Sequence, residues 1–236
     1  MAARRLSPEI VWRRRAAALL IAGAVLLAGY YLWFRDSSLV AVEEVKVEGA
    51  SANQEQITAA LQDAAEGMTT LHIDDDKLRE AASAFPTVAS VSADADLLHS
   101  LTITVTERLP VARVDSRGEA VAVSAEGYLL PGVGAEGLPP LEASAEGARL
   151  EAEGISQSEI VGGAPGELRG EISAVSWDPD RGGVVVEIDG TPELRFGDGE
   201  RAEDKWKAVA TVLASPELGS PAYLDASVPD RPVTGG

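Results

Sequence analysis

The chain begins with an apolar stretch that has no polar face, and continues with apolar positions that alternate or recur at helical spacing. Residues 16–34 form 19 consecutive positions without a charged side chain. A helix of that length rises about 28 Å, close to the thickness of the hydrocarbon core of a membrane. The pattern therefore predicts a transmembrane helix over 16–34, after a cytoplasmic tail over 1–15.

A cleaved signal peptide and a buried core helix are the two alternatives for this stretch. A signal peptide has a shorter apolar run that ends in small residues, and a core helix keeps one polar face. Here the run ends in aromatic residues, which settle at lipid headgroups: Tyr30, Tyr31, Trp33 and Phe34. Arginines outnumber acids before the run, which predicts an N-terminus in the cytoplasm and a remaining chain outside.

The interval 35–110 has the pattern of a small α+β domain. Alternating apolar positions predict strands, and positions that recur every three or four residues predict helices. The predicted elements are a strand around Val45 and Val47, a helix capped by Asn53, a helix opened by Asp74, Asp75 and Asp76, and strands over 88–93 and 101–106. The expected result is a small sheet with helices on one side.

The interval 111–227 changes to short strands and turns, and it predicts a mixed, mainly antiparallel β domain. The predicted elements are hairpins of 111–114 with 120–124 and of 184–188 with 194–196, a helix over 200–214 with Asp198 as N-cap and a stripe of Trp206, Val209, Ala210 and Leu213, and a final strand over 222–226. We expect a surface loop over 131–166 with a short helix near 156–160. The Pro-rich tail over 228–236 is expected to be flexible. The overall fold class is α+β.

Charge narrows the classes of partner for the part after the apolar stretch. Five of the 20 basic residues and one of the 38 acidic residues precede residue 16, which leaves a net charge of −22 for the rest. So acidic a domain repels nucleic acid, and nucleic acid is therefore not an expected partner. The chain has no cysteine, and a domain of this length buries a core without disulfides.

No set of residues has the pattern of a catalytic or metal site. His72 and His99 are the two histidines, and neither has ligand residues at metal spacing, so both are expected in turns or at the surface. The acidic run 74–76 fits helix capping better than cation binding. The segment 132–137 has the spacing G-x-G-x-x-G, but its flanking prolines are incompatible with a nucleotide-binding strand and helix. We therefore expect no cofactor, metal or small-molecule substrate, while a pair of carboxylates of the kind that hydrolyses glycosides stays open, because their separation is not visible in a sequence.

The segment LTITVTERLPVARV at 101–114 resembles the end of the POTRA domain in the FtsQ/DivIB family of bacterial cell-division proteins. Other segments resemble the family in the same order: VEEVKVEGA at 42–50, GMTTLHI at 67–73, FPTVASV at 85–91, LRFGDGERAEDKWKAVATVL at 194–213 and YLDASVPDRPV at 223–233. The acidic, alanine-rich composition is also similar to that of actinobacterial members. The resemblance implies a POTRA domain over 35–110 and a β domain over 111–227.

The resemblance implies a non-enzymatic scaffold of the divisome, located at the division septum. It would be a single-pass protein of the cytoplasmic membrane with its C-terminal part outside. That outer part would bind the single-span partners FtsL and FtsB, or DivIC, and through them help control the septal peptidoglycan synthase pair FtsW and FtsI. The family's POTRA domain is associated with recruitment and with further divisome contacts.

In the family, the last strand of the β domain offers its edge to a strand of the FtsB-type partner. The matching positions are Tyr223, Leu224, Asp225, Ala226 and Ser227. An open edge carries unpaired N–H and C=O groups, which strand addition uses as a template. Tyr223 is the expected main contact, because its ring supplies apolar area and a hydroxyl. Since alternate residues of a strand face opposite ways, we expect one of Tyr223 and Leu224 to pack inward.

Two other classes of function are alternatives to this one. POTRA domains also precede outer-membrane barrels, where they act in protein transport and assembly, but such a chain should continue into alternating strands of about ten residues. An anchored cell-wall hydrolase or a solute receptor would need a catalytic set or an aromatic-lined pocket. The sequence has neither pattern, so the division scaffold remains the favoured hypothesis.

Overall fold

The computed structural model of the protein describes residues 8–31, 37, 40–96, 99–116, 118–215 and 219–236. The chain forms two compact units. The first comprises 1–50, 55–82 and 90–105, and the second comprises 51–54, 83–89 and 106–236.

The N-terminal helix, α1, spans Pro8–Gly29 and has 22 residues. Among the described residues, no helix combines the length and the apolar character needed to cross a membrane. The predicted span over 16–34 and α1 overlap over 16–29, and α1 begins earlier, so that arginines 13–15 lie inside it. Trp33 and Phe34, the predicted aromatic end, lie outside the described residues.

A three-stranded sheet and two helices follow in the predicted order. The elements are β1 (Glu44–Glu48), α2 (Gln54–Ala65), α3 (Asp75–Ser83), β2 (Val88–Asp96) and β3 (Ser100–Glu107). The sheet has the order β1-β3-β2, with β1 parallel to β3. Both helices are amphipathic and bury their apolar positions, as β3 buries its alternate residues. The predicted order strand, helix, helix, strand, strand is confirmed.

The two predicted helix caps differ in outcome. Asp74 caps α3, because its Oδ1 accepts a hydrogen bond from the Lys77 backbone N–H at 3.0 Å. Asn53 directly precedes α2, as predicted, but with a φ of 55° in place of the extended backbone that is typical of an N-cap residue. His99 lies in a turn, where its Nδ1 makes a 2.9 Å hydrogen bond with the Ala41 carbonyl, and His72 is exposed, as expected for both histidines.

The second sheet has nine strands and contains both predicted hairpins. The elements in chain order are β4 (Pro110–Ser116), β5 (Glu119–Ser124), β6 (Leu129–Leu130), β7 (Pro140–Leu141), β8 (Ala145–Glu146), β9 (Arg149–Leu150), α4 (Ala152–Gly163), α5 (Gly166–Arg169), β10 (Ile172–Asp178), β11 (Gly183–Ile188), β12 (Glu193–Gly197), α6 (Ala202–Leu213), β13 (Tyr223–Asp225) and β14 (Val233–Gly235). The sheet order is β14-β13-β12-β11-β10-β7-β4-β5-β6, and β8 pairs with β9 separately. Parallel pairs occur at β4–β7, β7–β10 and β12–β13, and the other pairs are antiparallel, which confirms a mixed, mainly antiparallel sheet.

The interval 131–166 is not the surface loop that its composition predicted. It contains the short strands β7 to β9 and the whole of α4, whose Ile160 and Val161 are fully buried. The glycines that suggested a loop let α4 approach its neighbours. A Cβ at Gly162 would lie 2.6 Å from Ala125 Cβ, and one at Gly163 would lie 2.6 Å from Ala202 Cβ. Glycine at such contacts therefore serves close packing in this helix.

Helix α6 confirms the prediction in its extent but not in its cap. Trp206 and Val209 are buried as predicted, whereas Ala210 is exposed, because the buried stripe is narrower than its apolar spacing implied. Arg201, with φ of 54°, occupies the N-cap position that Asp198 was predicted to hold. Pro216, the predicted end signal, lies outside the described residues.

The C-terminus differs most from prediction. The strand expected over 222–226 is present as β13, but it is not the last strand. The tail over 228–236, expected to be flexible, turns back and contributes β14 at the edge of the sheet. The prediction failed because the tail's prolines suggested an unpaired segment. Both prolines precede β14, so no strand residue lacks its N–H.

Glycine at position 49 is required by the close approach of β1 to β3. Gly49 has a φ of 90°, and a Cβ there would overlap the carbonyl oxygen of Val105. Gly67 has a similar φ of 80° but nothing within 4 Å of its Cβ position.

We expect Gly49→Ala to lower the free energy of unfolding by about 2 to 4 kcal/mol, and Gly67→Ala by about 1 kcal/mol. Urea unfolding of the purified proteins measures both, and equal effects would contradict the proposed clash.

Candidate partner-binding edge

Strand β13 lies one place from the edge of the nine-stranded sheet. On its inner side it runs parallel to β12, with Leu194 opposite Leu224 and Arg195 opposite Asp225. The Ala226 N–H donates to the Arg195 carbonyl at 2.8 Å, and the Glu193 N–H donates to the Ala222 carbonyl at 3.2 Å. Hydrogen bonds at both ends therefore fix β13 to the rest of the sheet.

The five residues predicted to bind a partner divide between two faces of the sheet. Leu224 and Ala226 are 0% exposed and belong to the core that also contains Trp206. Tyr223 and Asp225 are half-buried on the opposite face. This arrangement has Leu224 inward and Tyr223 outward, as the alternation of a strand requires. A partner could thus contact the side chains of Tyr223 and Asp225, whereas Leu224 and Ala226 offer it only their backbone.

Ser227 follows the strand and is exposed. Its backbone N–H donates to Asp225 Oδ1 at 2.9 Å. This is the local turn that an aspartate forms two residues before an N–H donor. Ser227 therefore marks the end of β13 rather than a further pairing position.

A chain of charged side chains holds the Tyr223 ring in place. The Arg195 guanidinium carbon lies 3.9 Å from the centre of the ring. Glu193 holds Arg195 in place, because Glu193 Oε1 accepts a hydrogen bond from Arg195 Nε at 2.8 Å. The other carboxylate oxygen of Glu193 forms an ion pair with Arg181 Nη1 at 3.2 Å. A cation over a ring at a partly exposed site contributes about 0.5 to 1 kcal/mol. The ring is therefore oriented before any partner arrives.

The outer side of β13 is occupied by β14. Tyr223 pairs with Gly235, Leu224 with Thr234 and Asp225 with Val233, in antiparallel register. The Ala222 N–H also donates to the Gly235 carbonyl at 2.8 Å. The edge expected to be open is therefore covered by the chain's own tail.

The inward face of β13 belongs to a buried core that also contains residues of α4 and α6. The Trp206 indole N–H donates to the Ile160 carbonyl at 2.7 Å, and its ring lies 4.6 Å from that of Phe196. Trp206 thus joins α6 to α4 and to β12, and Leu224 packs in the same core. This core fixes which face of β13 points inward.

A buried cation fastens the first turn of α6 to the end of β12. The Lys205 side chain is 3% exposed, and its Nζ donates to Asp198 Oδ1 at 2.6 Å and to the Asp198 carbonyl at 3.0 Å. This hydrogen bond from Lys205 holds the pKa of the Asp198 carboxyl below its ordinary value. A buried ammonium needs such partners, because an unpaired charge in the interior is strongly destabilising.

Two features of the edge were missed from the sequence alone. The sequence pattern predicts no role for Arg195, although its place two residues from Glu193 puts both side chains on one face. It predicts a flexible tail at Gly235. The alternation of LRF at 194–196 was the available signal for the first, and the sequence contains no comparable signal for the second.

Among the residues that the structure describes, no group of three or more His, Cys, Asp or Glu side chains is placed to hold a metal ion. The arrangement at β13 offers backbone hydrogen-bonding groups, one oriented aromatic ring and a few charges. These are the components of a binding surface for an extended peptide.

Residues 40–108 match the family model described as the POTRA domain, FtsQ-type. The chain is also similar to the "Cell division protein FtsQ" of Streptomyces venezuelae. The two sequences are 26% identical over an alignment of 236 residues, which covers 93% of this chain and 84% of that protein. The chain therefore contains an FtsQ-type POTRA domain and is similar to a cell division protein FtsQ over most of its length. The match to the FtsQ-type POTRA domain runs from before β1 to just beyond β3, so it contains the sheet order β1-β3-β2.

The ion pair between the buried Lys205 and the largely exposed Asp198 allows a test in acid. A carboxyl whose pKa is depressed in the folded state adds stability above its unfolded pKa of about 3.9, and this stability is lost as pH falls through the folded pKa. Because solvent screens the exposed Asp198, we expect Asp198→Asn to lower the free energy of unfolding by only about 0.5 kcal/mol at pH 7, and this difference to shrink as the pH falls below about 4. Urea unfolding at a series of pH values measures it.

Asp189→Asn, in the exposed turn between β11 and β12, serves as the matched control. It removes the same charge and should leave the unfolding free energy nearly unchanged at pH 7. A difference between Asp198→Asn and the unsubstituted protein that stays constant down to pH 2 would contradict the role of the ion pair.

Proposed function

We propose that the protein is a non-enzymatic scaffold of the cell-division machinery, which binds an FtsB- or DivIC-type strand at the β13 edge of its β domain. FtsL-type proteins are proposed as further partners, and FtsW and FtsI as the septal peptidoglycan synthases affected indirectly. The similarity to the Streptomyces venezuelae cell division protein FtsQ supports the division role. The observation that carries the choice of site is the oriented Tyr223 ring beside the outermost strands of the sheet.

The chemistry of β13 supports recognition of a strand rather than of a small molecule. Strand addition obtains affinity from backbone hydrogen bonds and specificity from side chains at alternate positions. β13 supplies side chains of this kind, since Tyr223 and Asp225 project from one face, and its outer side would supply the backbone groups wherever β14 does not hold them. The net charge of −22 after residue 15 argues against a nucleic-acid partner.

We further propose that the POTRA and β domains act outside the cytoplasmic membrane at the septum, with the basic N-terminus inside. The FtsQ-type POTRA domain, the similarity to a cell division protein FtsQ and the arginines that precede the apolar residues of α1 support this placement. Protease added to intact spheroplasts should digest both domains. Complete protection of both domains would overturn the proposed placement.

The experiment on function replaces Tyr223 with glutamate. This change removes the ring from Arg195 and places a second carboxylate opposite Glu193, so the edge loses its apolar contact. We expect Tyr223→Glu to weaken binding of the FtsB- or DivIC-type protein from the same organism by roughly 30-fold, the size of a hot-spot residue. Co-purification and a titration with the purified partner measure the loss, and a thermal melt checks that the fold persists.

Leu109→Glu is the matched control. Leu109 is 78% exposed and precedes β4, which lies five strands from β13 in the sheet order. It introduces the same charge at an apolar surface residue and should leave partner binding unchanged. Unchanged binding by Tyr223→Glu, or equal losses in both variants, would overturn the assignment of the site.

A further inference from the structure

We propose that the C-terminal strand β14 is an internal competitor for the partner's place on β13, so that partner binding requires the tail to leave. The inference rests on the proposed function, because it concerns the same edge. It adds a regulatory contact, in which the chain in isolation covers its own docking site.

The first observation is that β14 uses the groups that an added strand would use. All three of its residues pair with β13, at Tyr223, Leu224 and Asp225. Each side of a strand presents one row of backbone donors and acceptors, so two strands cannot occupy the same side. While β14 is in place, an incoming strand finds no unpaired backbone on β13.

The second observation is that the tail is held weakly. β14 has three residues, and its Val233 side chain is 57% exposed, so little apolar surface is buried. The preceding turn is held by an ion pair between Arg201 and Asp230 at 3.1 Å, and both side chains are more than half exposed. Exposed ion pairs contribute about 0 to 1 kcal/mol. The tail is therefore attached by contacts that a longer strand can replace.

The third observation is that Gly235 makes the tail compatible with Tyr223. A Cβ at Gly235 would overlap the Tyr223 hydroxyl and lie 2.8 Å from Cε1 of the ring. The tail therefore fits under the ring because this position has no side chain. A β-branched residue at 235 should expel the tail while leaving β13 itself unaltered.

The expected effect follows from the fraction of molecules with a free edge. When a binding-competent state has population f, the apparent Kd equals the intrinsic Kd divided by f. A tail docked in about nine molecules of ten would raise the apparent Kd about tenfold. Truncation after Ser227, or Gly235→Val, should therefore tighten binding of the FtsB- or DivIC-type partner about tenfold.

A disulfide provides the opposite test in the full chain. Residues opposite each other in an antiparallel pair have Cα atoms about 4.5 to 5.5 Å apart, within the range that a disulfide bridges. The double variant Asp225→Cys with Val233→Cys would thus lock β14 onto β13, and the chain has no other cysteine. We expect the oxidised form to bind the partner at least about tenfold more weakly than the same protein after reduction.

Occupancy of the edge is also measurable without a partner. Backbone amides of β13 that β14 protects should exchange with solvent faster after truncation at Ser227, and equal exchange rates would overturn the inference whatever the partner result.

If truncation weakens partner binding, or the oxidised and reduced forms bind equally, the partner does not displace the tail and the inference is wrong while the proposed function stands. If neither the full nor the truncated chain binds the partner, the proposed function fails, and the exchange rates still decide whether the tail covers β13.

Discussion

The structure depends on one constraint, that backbone hydrogen-bonding groups at the edge of a sheet need partners. In this protein the constraint applies at β13, which has β12 on one side and only the three-residue β14 on the other. An unpaired edge would be a template for unwanted association. The tail meets this need within the chain while remaining a contact that another strand can replace.

The core behind β13 determines what the edge presents. Trp206, held by its hydrogen bond to the Ile160 carbonyl, packs in the same core as Leu224. With Leu224 buried, strand alternation requires Tyr223 to face the other way, where Arg195 lies over its ring. The position of Tyr223 on one face is thus a consequence of packing on the other. The similarity to a cell division protein FtsQ supports the role proposed for this face.

Local sequence patterns predicted much of the fold. The alternation around Val45 and Val47, the helical spacing in α2 and the turn signals of the two hairpins are local features, and all were confirmed. The sequence predicts only a short helix in place of α4, because glycine is typical of loops. In the structure, glycine allows α4 to pack closely against Ala125 and Ala202. Helix α1 begins at Pro8, so arginines that were expected before the helix lie within it.

The site was predictable only in part, because its decisive contacts join distant parts of the chain. The inward position of Leu224 follows from strand alternation. The pairing of Tyr223 with Gly235 requires the tail to turn back, and proline-rich composition gives no sign of that return. The placement of Arg195 over Tyr223 depends on β12 and β13 being neighbours, although α6 separates them in sequence.

The central claim is that the β13 edge meets a partner strand in the dividing cell. The most direct measurement places a photoreactive p-benzoylphenylalanine at Tyr223, an aromatic exchange, and at Leu109 in a parallel strain. Illumination of dividing cells should crosslink the FtsB- or DivIC-type protein to position 223. It should produce no crosslink between this partner and position 109. Absence of that adduct at Tyr223, with an adduct at Leu109 instead, would contradict the account.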